Sequence, residues 1–305
     1  MTMKEFKGKR ILNAVHTGEE PKGGIKNSYE SIGVELVSDV RNWKSAMFTF
    51  IMGSYNNDPN KLENFEPTPE EVDEIINSAI EGEALPLAME IPTFTFKITG
   101  IDRIITHQIV RSRIGVTFSQ HCTGDNDVRH LDMLLPKPIL ENVSERMKQK
   151  VVNALFNIKG IYAELLDEEK ISIQDARHIL PQCIDTYIYM TANFMMLKNF
   201  CARRLCTNET VQMQRISTLI RKEIEEKVSP ILAKHLIGIC DKTKRCHFRK
   251  NDSVFGGSVF HPCGKFPRID SNGKEILTES GSSVHDGPAR EFRKYRSDSD
   301  MPLNE

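Results

Sequence analysis

No stretch of this 305-residue chain approaches the apolar length that a bilayer-spanning helix requires. The N-terminus, MTMKEFKGKR, lacks the apolar core of a secretory signal. Neither sign of charge dominates: 41 Lys and Arg stand against 42 Asp and Glu, for a formal net charge of −1. There is thus no global field to draw the chain to nucleic acid or to an acidic membrane, and neither is expected as a partner. Seven cysteines occur, an odd number without regular spacing and without a Cys-x-x-Cys pair. That excludes a disulfide framework and disfavours a structural zinc site. No internal repeat is present. What remains is an ordinary folded composition, 39% hydrophobic and 27% charged. The expectation is a cytoplasmic protein with free thiols and no metal.

Residues 1–30, polar and glycine-bearing, predict an irregular arm, and 265–305, rich in Ser, Gly, Asp, Lys and Arg, a loose tail. Between them the pattern predicts alternating strands and helices. Phe48-Thr49-Phe50 reads as a strand. Thr68, Pro69 and Glu71 form a capping box opening a helix that stops at Gly82. Phe94, Phe96 and Ile98 alternate with Thr93, Thr95 and Lys97, as in a half-buried strand. Ile101 to Arg113 reads as a helix, 122–127 as a turn-rich loop, and Leu131 to Leu135 as a short strand. Val151, Leu155, Ile158, Tyr162 and Leu165 keep a helical stripe. Ile173 to Leu180 predicts a short helix stopped by Pro181, and Ile184 to Leu205 one long helix. Val211 to Ile237 predicts further helix broken at Pro230.

Arginine, glutamine and asparagine within this apolar helical sequence carry the chemistry. Gln108, Arg111 and Arg113 follow one another at a helix end. Arg177 stands in ARHILP, and Asn193, Asn199, Arg203 and Arg204 in TANFMMLKNFCARRL. A cation in apolar surroundings is costly unless an anion meets it, and guanidinium pairs with phosphate through parallel hydrogen bonds. Asn193 and Arg204 fall about three turns apart, roughly 16 Å along a helix. The residues alone leave two readings open: ion pairs and amide contacts within the protein, or a grip on a phosphorylated planar ligand. Cys122 reads as an inert free thiol rather than a nucleophile. Cys240, Cys246, His247, His261 and Cys263 form a loose cluster without zinc-ligand spacing.

Taken together, these pieces resemble the flavin-dependent thymidylate synthase family. That family carries a helix reading Gln-x-x-Arg-His-Arg, then Arg-x-x-Leu-Pro, then Asn-x-Arg-x-x-x-Asn-Phe-x-x-x-Arg. Here Gln108, Arg111 and Arg113 fit the first motif, Arg177-His-Ile-Leu-Pro181 the second, and Asn193, Asn199, Phe200 and Arg204 the third. The resemblance covers roughly residues 30 to 230. Departures are specific. Ser112 stands for the motif His and Met195 for the Arg two residues after the first Asn. Glu83-Ala-Leu-Pro86 stands for a His-Glu-Thr-Pro segment. The family's Ser-x-Arg-Tyr loop is expanded to SQHCTGDNDVRH, with Arg129-His130 in place of Arg-Tyr.

The resemblance implies an α+β fold with a central mixed or antiparallel sheet packed by long helices, assembled as a homotetramer with sites between subunits. The family-like domain would span 31–240, after the arm of 1–30 and before a Cys/His-bearing tail of 241–305. It implies conversion of dUMP to dTMP, with methylenetetrahydrofolate as carbon donor and FAD, reduced by NADPH, as hydride carrier. By resemblance, Gln108, Arg111, Gln120, Cys122, Arg129, Arg177 and Arg204 hold dUMP, and Arg204 stabilises charge on the pyrimidine. Thr49, Arg111, Ser112, Arg113, Ile114, Gln120, Asn193 and Asn199 hold FAD. The departures leave two further readings: C5 modification of another pyrimidine nucleotide, such as hydroxymethylation, or a nucleotide-binding relative without catalysis.

Overall fold

A computed structural model describes residues 23–56, 58, 66–207 and 209–244. The expected tail, with Cys246, His247, His261 and Cys263, and most of the N-terminal arm lie outside these described residues. In chain order the elements are β1 (Ile25–Asn27), β2 (Gly33–Asp39), α1 (Trp43–Tyr55), α2 (Pro69–Gly82), β3 (Thr93–Ile101), α3 (Arg103–Ile109), β4 (Val116–Gln120), β5 (Met133–Leu135), α4 (Lys137–Glu141), α5 (Glu145–Asp167), α6 (Ile173–Ala176), β6 (Thr186–Asn193), α7 (Phe194–Arg204), α8 (Val211–Lys227), α9 (Pro230–Ala233) and α10 (Ile239–Thr243). The fold is α+β, as expected, with an antiparallel and a parallel sheet. Among the described residues no helix is long and apolar enough to cross a membrane.

The chain divides into two compact units. The second comprises the described residues of 33–98, with 111–118 and the described residues of 189–244, and its sheet has the strand order β2-β3-β6-β4. Strands β3 and β6 run antiparallel: Phe194 N donates to Pro92 O at 2.8 Å, while Thr95 and Thr191 hydroxyls meet at 2.9 Å. Phe94, Phe96 and Ile98 are fully buried, so one face of β3 enters the core while the threonines take the other. Helix α8 packs on β2, and Glu223 accepts from Leu36 N at 2.6 Å. Helix α2 opens with the predicted capping box, in which Thr68 accepts from Glu71 N and Glu71 returns a bond to Thr68 N.

The first unit comprises the described residues of 23–32, with 99–110 and 119–188. Strands β1 and β5 pair in parallel, with Ile25 opposite Met133. Its core gathers Val128, Tyr162, Leu166, Ile173, Ala176 and Ile184. Helix α5 follows the predicted stripe and buries Tyr162, and the turn after α6 ends at Leu180, before Pro181.

Three expected elements differ. Phe48-Thr49-Phe50 lies inside α1, because Trp43, Met47 and Ile51 bury one helical face at spacings of four. The helix predicted over Ile101 to Arg113 is shorter. Strand β3 keeps Ile101, and Asp102 starts α3 by accepting from Ile105 N at 2.9 Å. The helix ends before Arg111, which leaves Arg111 and Arg113 in the following turn. The single helix expected over Ile184 to Leu205 is a strand followed by a helix. Thr186, Ile188, Met190 and Ala192 are buried in strict alternation, a period of two that belongs to a strand. Asn193 then caps α7, accepting from Met196 N at 2.9 Å.

Candidate functional site

In the second unit the turn after α3 carries Arg111, Arg113, Ile114 and Gly115 and meets Asn193 through Gly115. Arg111, Arg113, Ile114 and Gly115 are exposed, Ile114 at 88%. Neither guanidinium has an acidic partner among the described residues. Gly115 adopts φ +70°, a left-handed conformation that a side chain strains. A Cβ there would fall 2.6 Å from Asn193 Oδ1 and 2.7 Å from Asn193 Nδ2. Asn193 N also donates to Gly115 O at 2.9 Å. One asparagine therefore caps α7 with its side chain and holds the arginine turn with its backbone. Thr49 on α1 and Asn199 on α7 are exposed, and Ser112 is half-buried.

Arg204, the last residue of α7, is differently engaged. Its Nη1 lies 2.7 Å from Glu209 Oε2, and its guanidinium stands 6.0 Å from the centre of the Phe200 ring. As a cation in the last helical turn it also complements the helix dipole.

In the first unit Gln108 lies half-buried on α3. Gln120 donates from Nε2 to Thr106 Oγ1 at 3.0 Å. Cys122 is an exposed free thiol. Arg129 is fully buried, against Asp127 Oδ2 at 2.6 Å and against both carboxylate oxygens of Asp167. Arg177 is half-buried; its Nε donates to Gln174 O at 3.2 Å, and no carboxylate pairs with it among the described residues. Gln174 Nε2 donates to Gly124 O at 3.0 Å, so the loop carrying Cys122 is brought to the segment carrying Arg177.

Sequence reasoning passed over Arg103, His121, Tyr187 and Gln174. Arg103 Nη1 donates to His121 O at 3.3 Å, and the His121 and Tyr187 rings stack with centres 5.0 Å apart. Burial, and after it the Arg103 cation, push the His121 imidazole below its ordinary value, favouring the neutral ring. Strand alternation in β6 would have placed Tyr187 on the face opposite Ile188. No sequence spacing signals the contact of Gln174 with Gly124, fifty residues away.

Arginines without acidic partners among the described residues are, by their chemistry, suited to an anionic ligand. The Thymidylate synthase complementing protein family matches residues 35–230, and the chain belongs to that family. It is 30% identical over 180 residues to a flavin-dependent thymidylate synthase of Nitratidesulfovibrio vulgaris, covering 57% of this chain and 69% of that protein. It is 31% identical over 147 residues to one of Sulfolobus acidocaldarius, covering 48% and 55% of the respective chains. Among solved structures, a UMP/dUMP methylase from Streptomyces cacaoi bound with 5-Br dUMP superposes with a TM-score of 0.57 at 15% identity, over 70% of this chain and 96% of that one. Thymidylate synthase X from Helicobacter pylori with FAD and dUMP gives 0.51 at 15% identity, over 67% and 99%. At these identities the structural likeness shows the fold.

Proposed function

We propose that the chain is a flavin-dependent thymidylate synthase that converts dUMP to dTMP, taking the carbon from methylenetetrahydrofolate and using FAD recharged by NADPH. One observation carries the reading: Arg111, Arg113 and Arg177, all motif positions, have no acidic partner among the described residues. Guanidinium groups left without a carboxylate are suited to bidentate contacts with phosphate.

The second unit offers groups that fit a flavin dinucleotide. Arg111 and Arg113 suit its pyrophosphate, the exposed Thr49 hydroxyl suits a phosphate oxygen, and Asn193 holds the arginine turn against α7. We assign FAD to Thr49, Arg111, Ser112, Arg113, Ile114, Gln120, Asn193 and Asn199. When bound, the flavin supplies hydride transfer; this chain supplies orientation and electrostatics. We assign dUMP to Gln108, Arg111, Gln120, Cys122, Arg177 and Arg204. Arg204 stabilises the negative charge that develops on the pyrimidine, which requires its pair with Glu209 to open toward the ligand. Arg129 is given to the frame instead, because two carboxylates already face its buried guanidinium. The working form is a cytoplasmic homotetramer in which neighbouring copies complete each site.

A mixture of purified protein, FAD, NADPH, methylenetetrahydrofolate and dUMP is expected to yield dTMP. Turnover of dCMP with none of dUMP would reject the reading. The burial of Arg129, at the family's loop arginine, favours a second reading, C5 modification of a different pyrimidine monophosphate, including transfer of a hydroxymethyl group. A protein that binds dUMP but takes up no FAD would instead be a binding relative without catalysis.

A further inference from the structure

The loop from His121 to His130 is where this chain departs furthest from its family's pattern, and it is firmly built. Asn126 Nδ2 donates to Cys122 O at 2.8 Å, Asp127 Oδ1 accepts from Arg129 N at 3.0 Å, and the Arg129 side chain anchors the loop's end to Asp167. At its centre, Gly124 is buried against the segment that carries Arg177. A Cβ at Gly124 would fall 2.6 Å from Arg177 Nη1 and 2.6 Å from both polar atoms of the Gln174 amide. Gln174 works in two directions. Its side chain donates to Gly124 O, and its own carbonyl accepts from Arg177 Nε.

We propose that Gly124 and Gln174 are positioning residues for Arg177. Gln174 ties the guanidinium at Nε, and the bare backbone of Gly124 is the wall against which the Nη1 end rests. That leaves the remaining N–H donors of Arg177 at a fixed angle for the ligand. The inference rests on the reading above that Arg177 grips a pyrimidine monophosphate, and it names what sets the angle of that grip. Through Gly124 the expanded loop thereby acts on nucleotide recognition by way of Arg177. A methyl group at Gly124 meets the far end of a flexible side chain, so it displaces Arg177 rather than breaking the fold.

The test is a double-mutant cycle on dUMP binding, read by isothermal titration calorimetry, with a ligand-free crystal structure of Gly124→Ala beside it. Gly124→Ala is expected to weaken dUMP binding by about 10- to 100-fold, the scale of a small misplacement of a binding group, with an unchanged melting temperature. Gln174→Ala keeps the carbonyl that holds Arg177 Nε but loses the side-chain bond to Gly124 O, and is expected to weaken binding in the same direction by a smaller factor. In an Arg177→Ala background, Gly124→Ala is expected to cost nothing further, because the group it displaces is gone. The crystal structure is expected to show the guanidinium moved off its Gln174 bond. Wild-type affinity in Gly124→Ala, an equal loss in both backgrounds, or an unmoved guanidinium would each overturn the proposal. A displaced guanidinium in a protein whose wild type binds no dUMP would uphold the positioning and defeat the nucleotide reading.

Discussion

Arg129 donates to both carboxylate oxygens of Asp167, at 2.5 and 3.0 Å, although the two residues stand 38 positions apart. Asp127 meets the same guanidinium at Nε, so the cation is buried with its charge answered from two sides. Breaking such a pair leaves a buried charge uncompensated, which typically costs about 3–5 kcal/mol. Arg129→Ala is therefore expected to lower stability by that order in denaturant unfolding. Wild-type stability combined with lost dUMP binding would return Arg129 to the ligand.

Arg111 and Arg177 have the opposite character. Each is expected to be nearly silent in stability when changed to alanine, within about 0.5 kcal/mol, because neither holds an acidic partner among the described residues. Each is expected to lose about 2–5 kcal/mol of dUMP binding, the range for truncating one side of a hydrogen-bonded charge pair. Calorimetric titration and thermal unfolding of the same samples separate the two effects.

Arg204 is held by Glu209 and stands over Phe200. Arg204→Ala is expected to reduce kcat by about 10²–10³-fold, the range for removing one donor to developing charge, with a much smaller effect on folding. Full steady-state turnover in that variant would remove its assignment.

His235 gives a pH signature. Its ring meets Asn77 Oδ1 at 3.0 Å, and burial, followed by the Lys234 cation, pushes its value from 6.5 down to about 4. The folded state thus prefers the neutral ring. Its contribution is complete above pH 6.5 and is lost as the pH falls from there through 4. Melting temperatures of wild type should drop across this window more steeply than those of His235→Gln. Parallel slopes would assign the acid sensitivity elsewhere.

Local chemistry in the sequence read well. The capping box at Thr68, the alternation of Phe94, Phe96 and Ile98, and the stripe from Val151 to Leu165 each belong to one short segment, and each stands in the structure. The segment from Ile184 to Leu205 misled because its apolar residues are nearly continuous, which hides a change from strand to helical periodicity at Asn193. Asn193 itself marked the join, being a good helix cap in the midst of an apolar run. The candidate site was legible as a set of arginines, but not in which of them are free. The partners that commit Arg129 are two carboxylates, one of them 38 residues distant, and sequence offers no rule for that pairing.

The central claim is that separated arginines hold a pyrimidine monophosphate against a flavin. Its most direct measurement is the visible absorption spectrum of the purified protein titrated with FAD and then with dUMP. The account predicts a bound flavin band that dUMP perturbs in wild type but not in Arg177→Ala. A protein that takes up no flavin, or a flavin band indifferent to dUMP in wild type, would contradict it.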